Sequence, residues 1–174
     1  MSPSALLGSL RGAWTRWKLR RSAQIGRGAE ARGHIWIHGP GSVRIGARAH
    51  LDGRWAPIEL HAAEGAEIVI AEDARIDGGV SIDAHRSVRV GARSHVGRLC
   101  KILDNHFHRP KSLDDKPQSQ AVVIEEDVDL GVRSILLPGA HVGAGAVVGP
   151  ATVVARRVPA GARIAGLPAT VRRM

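Results

Sequence analysis

Cysteine and aromatic residues are nearly missing from this chain. Its 174 residues hold one cysteine, four tryptophans, one phenylalanine and no tyrosine. The single Cys100 excludes an internal disulfide framework. A sandwich or α/β core of this size would use more large rings than the 3% found here, so the interior is expected to be thin. No apolar run reaches the ~18 residues that a membrane span needs. The N-terminus does not read as a signal peptide, because Arg11, Arg16 and Lys18 interrupt its apolar residues. The expected compartment is therefore the cytoplasm. Acidic residues are also scarce, 16 against 25 Lys and Arg, giving a formal net charge of +9. That excess suits anionic partners such as nucleotide phosphates or anionic lipid. The arginines are spread along the chain, zinc-finger spacing is absent, and hardly any rings lie among the basic residues, so no nucleic-acid partner is expected.

What the chain does contain is a beat of six. Ile124, Leu130, Leu136, Val142, Val148 and Val154 fall six apart. Four residues after each stands Val128, Ser134, Ala140, Ala146, Thr152 or Val158. This period fits neither a helix face nor simple strand alternation. It fits a solenoid in which each hexad is one short side of a coil, with the aliphatic residue and the small fifth residue both pointing inward. Gly131, Gly143 and Gly149 follow three of the aliphatics, and are expected to supply backbone conformations closed to other residues.

Earlier in the chain the beat is less regular. Ile45 with Ala49 is one hexad, whereas Leu51 carries Trp55 in the fifth position. Ile70, Ile76 and Ile82 form a run that resumes, after a two-residue shift near Val88, at Val90, Val96 and Ile102. Cys100 fills a fifth position and reads as a small inward side chain. The beat then stops until Val122. The interval DNHFHRPKSLDDKPQSQ is polar and holds His106, Phe107 and His108. A long excursion from a rigid repeat points to function. At the other end, Leu6, Leu10, Trp14 and Trp17 recur at helical spacing among basic residues. This basic amphipathic helix has two readings, a membrane-surface anchor or a cap on the first coil. The chain thus divides into the helix (1–22), N-terminal coils (23–102), a protruding loop (103–121), C-terminal coils (122–160) and a tail (161–174).

Together these features resemble the hexapeptide-repeat acyltransferases, and within them the branch that acetylates sugars and cell-surface polysaccharides. ILDNHFH is similar to that branch's Asp-x-Asp-Phe-His loop. The run from Val122 to Arg173 is similar to its C-terminal block, ending in AGLPATVRR. The resemblance implies an all-β fold, a left-handed parallel β-helix. It also implies a homotrimer, acetyl-CoA as co-substrate in a groove between subunits, and a sugar or glycan acceptor. Lipid-linked glycans become plausible acceptors if residues 4–22 touch the inner face of the membrane. Two departures stand out. Asp129 replaces the Trp of the family's Asp-Val-Trp-Ile-Gly motif, and His106 replaces the middle Asp of the loop motif.

An alcohol needs a base to take its proton as it attacks a thioester, and imidazole suits neutral pH. His108, at the last position of the loop motif, is the first candidate, with His106 as the fallback. Asp104 either orients the base or binds a substrate hydroxyl. By resemblance, backbone amides near Gly131 and Val132 receive the thioester oxygen. Pantetheine would lie along Gly149, Pro150 and Ala151, and the CoA phosphates would meet Arg156 and Arg173, with Ala155 alongside. No metal ligand set is assigned. Three alternatives stay open. One is N-acylation of a nucleotide-linked amino sugar. Another is a γ-type carbonic anhydrase, with His106, His108 and either His85 or His95 on a metal. The third is a non-catalytic scaffold.

Overall fold

The computed structural model describes residues 19, 23–106, 119–166 and 170–172. Among these, no helix is long and apolar enough to cross a membrane. The strands in chain order are β1 (Gln24–Ile25), β2 (Glu30–His38), β3 (Ser42–Ile45), β4 (His50–Ala62), β5 (Glu67–Ile70), β6 (Arg75–Asp77), β7 (Ser81–Ala84), β8 (Ser87–Val90), β9 (His95–Val96) and β10 (Lys101–Leu103). They continue as β11 (Val122–Ile124), β12 (Asp129–Leu130), β13 (Ile135–Leu136), β14 (His141–Val142), β15 (Val147–Val148), β16 (Val153–Val154), β17 (Arg157–Val158), β18 (Arg163–Ala165) and β19 (Thr170–Arg172).

Parallel pairing stacks them into three faces of a β-solenoid. Face I runs β1-β3-β5-β8-β11-β14-β17. The long β4 turns a corner. Its first part pairs with β6, whose stack continues through β9, β12, β15 and β18 as face II. Its last part pairs with β7, whose stack continues through β10, β13 and β16 as face III. Only β19 runs antiparallel, folding back on β18.

Each face contributes a continuous inward column of aliphatic side chains, and face I adds a second through Val43, Ile68, Val88 and Val122. On face I, Ile45, Ile70, Val90, Ile124, Val142 and Val158 follow one another from coil to coil. Leu51, Ile76, Val96, Leu130, Val148 and Ile164 do the same on face II, and Leu60, Ile82, Ile102, Leu136 and Val154 on face III. All are buried. Full burial of such a side chain favours folding by about 1.5–3 kcal/mol. The inward fifth positions, among them Ala74, Cys100, Ser134, Ala140, Ala146 and Thr152, are fully enclosed. The Cys100 thiol donates to Gly131 O at 3.1 Å, and burial pushes its pKa up to about 11.

Two details differ from the sequence reading. Val158 is not the fifth residue of the hexad begun by Val154. It pairs with Val142 and opens a new face I rung, because the last corner is two residues shorter. The glycines after the aliphatics also serve another purpose. None of Gly131, Gly143 and Gly149 has a positive φ. They admit the next coil: a Cβ on Gly143 would stand 2.5 Å from Ala160 N, and one on Gly131 would stand 2.7 Å from Pro150 N. The left-handed backbone falls two residues later, at Arg48, Asp73, Arg93, Leu99, Asp127, Arg133 and Ala151 with φ between 52° and 60°, and at Gly145 and Gly161.

The helix expected over residues 4–22 lies outside the described residues except at Leu19. That residue is helical and buried, and it borders the same small cavity as Ile25, Ala29, Ala31, Ile45 and Leu51 at the first coil.

Candidate active site

The protruding loop leaves the solenoid at the edge between faces III and I, after β10, and re-enters at β11. Its root is tightly held. Asp104 is fully buried, and its carboxylate accepts the backbone amides of His85, Arg86 and Ser87, each at 2.7 Å. Asp104 therefore clamps the turn between β7 and β8, a structural duty the sequence did not disclose. Gln120 N donates to Asp104 O at 2.7 Å, and Asn105 bridges Ser119, so the two ends of the excursion meet. Asn105 is also buried, and its Nδ2 finds no acceptor among the described residues. His106 is exposed at the point where the described chain ends. His108 lies outside the described residues, as does Arg173.

Directly above the root is a group of side chains that sequence spacing did not bring together. Leu103 pairs with Asp83, and Asp83 pairs with His61, which pairs with His38. The ring of His61 lies 5.4 Å from that of His38 and 5.8 Å from that of His85. Period-2 alternation within β7 puts Asp83 outward, and the column register supplies the rest.

The expected cofactor residues separate into two groups. Gly131, Val132, Gly149, Pro150 and Ala151 share the edge between faces II and III. Gly131 N is committed to Val148 O at 2.7 Å, Gly149 N to Ile164 O at 2.7 Å, and Ala151 N to Val132 O at 2.9 Å. Of the amides expected to receive the thioester oxygen, Gly131 is thus occupied within the coil. Val132 N has no backbone acceptor among the described residues, and the residue is 41% exposed. Ala155 and Arg156 are exposed one face away, on the loop edge. Within one chain face III separates the two groups.

The same II/III edge carries a cleft of about 310 Å³ in the upper coils, lined by Asp52, Arg54, Trp55, Asp77, Gly78 and Arg98. Trp55 is 59% exposed, and the Arg98 guanidinium lies 5.5 Å from its ring centre. Arg54 grips Asp52 through two contacts of 2.8 and 2.6 Å and holds its carboxyl down at about 2. His95 joins Asp77 at 3.1 Å to Asp129 at 2.9 Å. Asp129, the unusual residue of the DVDLG run, therefore faces a histidine of the coil above. The misfit of Trp55 in its hexad was the one sequence signal for this cleft.

Solved structures share this architecture. The N-acyltransferase AntD of Bacillus cereus, solved as a point variant with dTDP and coenzyme A, superposes with a TM-score of 0.72 at 13% identity, covering 91% of this chain and 87% of that one. A hexapeptide-repeat-containing acetyltransferase of Vibrio cholerae, solved with acetyl-CoA, superposes at 0.64 and 19%, covering 92% and 76%. The fold is that of the hexapeptide-repeat acetyltransferases. A polysialic-acid-specific acetyltransferase aligns with a TM-score of 0.54 at 19% identity, over 88% of this chain and 80% of its own. In sequence, a 2,3,4,5-tetrahydropyridine-2,6-dicarboxylate N-acetyltransferase of Staphylococcus aureus is 44% identical over 57 residues, 33% of this chain. The chain spans 24% of the length of the curated relatives it matches. No protein-family model matches it. The hexapeptide-repeat coils thus form the scaffold, and the loop at the III/I edge is its one large interruption among β1 to β18.

Proposed function

We propose that the chain is an acetyl-CoA-dependent acyltransferase that acetylates a hydroxyl of a sugar or cell-surface glycan. The observation that carries this reading is the loop between β10 and β11, rooted on buried Asp104 and Asn105, on a scaffold whose solved neighbours hold acetyl-CoA or coenzyme A. His108 serves as the general base, with His106 next to it in the same segment. The acceptor O–H gives its proton to the imidazole while its oxygen attacks the thioester carbon. The C–S bond then breaks, and the departing thiolate is protonated. The Val132 amide is the available donor for the thioester oxygen on the II/III edge. The chain acts as a homotrimer, so that the II/III edge of one subunit meets the loop of the next and joins the two groups of cofactor residues. Arg156 and Arg173 supply cations for the CoA phosphates.

A second reading, transfer to an amine, is favoured by two similar proteins, an N-acyltransferase solved with dTDP-4-amino-4,6-dideoxyglucose and an N-acetyltransferase. Acetyl-CoA turnover against a panel of glycans and of nucleotide-linked amino sugars separates the two. His108→Ala is expected to lower kcat by about 10²–10⁴-fold while acetyl-CoA still binds. Full activity of that variant would sink the assignment, and failure of the wild-type chain to bind acetyl-CoA would sink the transferase reading.

A further inference from the structure

The group above the loop root has a geometry that hydrogen bonding does not explain. Asp83 Oδ1 lies 3.3 Å from His61 Nδ1 and 3.2 Å from His85 Nε2. It is nonetheless a buried oxygen that accepts no hydrogen bond among the described residues, so those two contacts have the distance but not the direction of one. His95 offers the contrast. It sits between two carboxylates, and its 2.9 and 3.1 Å contacts to Asp129 and Asp77 have hydrogen-bond geometry. A buried acceptor without a donor is costly, and its persistence asks for a partner of another kind.

A metal ion satisfies these distances. Bonds of about 2.0–2.1 Å in tetrahedral geometry place neighbouring ligand atoms about 3.3–3.4 Å apart. The two contacts to Asp83 match that edge, and the three donor atoms all lie within 4.8 Å of one another. Imidazole nitrogens with one carboxylate oxygen suit zinc and its first-row neighbours rather than calcium or magnesium. The ligands come from rigid parts. His61 and Asp83 are paired across β4 and β7, and the backbone of His85 is fixed by Asp104. Little reordering is needed on binding, and partial exposure of the group leaves it an entry path.

We propose that His61, Asp83 and His85 form a site for a divalent transition metal of the zinc class. Three protein ligands leave the fourth position to water or to an acceptor oxygen, the open arrangement of catalytic rather than structural zinc. Metal binding here does not depend on the acyl-transfer reading.

The test is a Co²⁺ titration of the untagged full chain after chelator treatment, followed by visible absorption and displacement with Zn²⁺. One Co²⁺ per chain with the intense d–d bands of a four-coordinate ion is expected. His61→Gln and His85→Gln should each weaken binding more than about tenfold, the loss seen when even an outer-shell partner is removed. His95→Gln should leave it unchanged. Circular dichroism and sedimentation of each variant confirm that the solenoid is intact. Absence of a four-coordinate spectrum, or the same spectrum in the double variant His61→Gln/His85→Gln, overturns the site. Acetyl-CoA binding by the metal-free chain, measured in parallel, shows whether the transferase reading stands when the metal site fails.

Discussion

At the residue scale, Asp104 decides most about the loop. Three backbone amides converge on one buried carboxylate, and hydrogen bonds to a charged acceptor contribute more than neutral ones. Asp104→Ala would leave those amides without their acceptor. It is expected to destabilise the chain by about 2–4 kcal/mol, read as a lower urea midpoint. An unchanged midpoint would mean that water replaces the carboxylate and that Asp104 is kept for chemistry alone. The loop was legible as a break in the repeat. That its Asp faces the β7–β8 turn was not, because the partners are amides 17 to 19 residues earlier, and amides leave no mark in a sequence. Cys100 was the simpler case: position in the hexad alone put it inside, where its raised pKa keeps the thiol protonated at neutral pH.

At the scale of the coil, stability rests on two different uses of small or strained positions. Where a glycine follows the aliphatic it is needed for closeness, and the residue two further on is needed for its left-handed backbone. These uses predict different costs. Gly143→Ala forces a Cβ to within 2.5 Å of Ala160 N and should cost about 2–3 kcal/mol. Gly145→Ala meets no atom within 4 Å but must hold φ near +66°, at a cost of about 1 kcal/mol. Urea unfolding of the two variants checks the order, and the reverse order would show that corner backbone, not coil contact, is limiting. Four of the strained residues are paired across coils on one edge: Arg48 holds Asp73, and Arg93 holds Asp127, each through two contacts of 2.6–2.8 Å. These arginines keep both carboxyls below the ordinary range.

At the scale of the whole molecule, the solenoid is a column of nearest-neighbour contacts with an end to protect and edges to use. Leu19 is buried beside the first coil. Trp36, Trp55 and Val132 remain exposed, on a chain with a formal net charge of +9. Both features fit the proposed assembly and its anionic co-substrate. Sedimentation should give a particle of three chains, and acetyl-CoA affinity should fall as salt rises, because screened arginines hold phosphate less well. A monomer at working concentration would leave the two groups of cofactor residues apart and remove the basis for joining them.

The hexad beat by itself determined the solenoid, the inward aliphatic and fifth positions and the place of the loop, because a repeat reports its own period in every coil; the three faces came from the strand pairing. It erred where the period changed locally, at Val158, since a shortened corner alters the register without altering residue type, whereas the irregular Trp55 did mark its corner. Tertiary structure alone decided what meets across coils: Asp104 with the turn at 85–87, His95 with Asp77 and Asp129, and His61 with Asp83 and His85. These partners stand about one coil apart in the chain. Coil lengths of 16 to 34 residues between paired positions vary too much for spacing to reveal them, and only the parallel register brings them into one column.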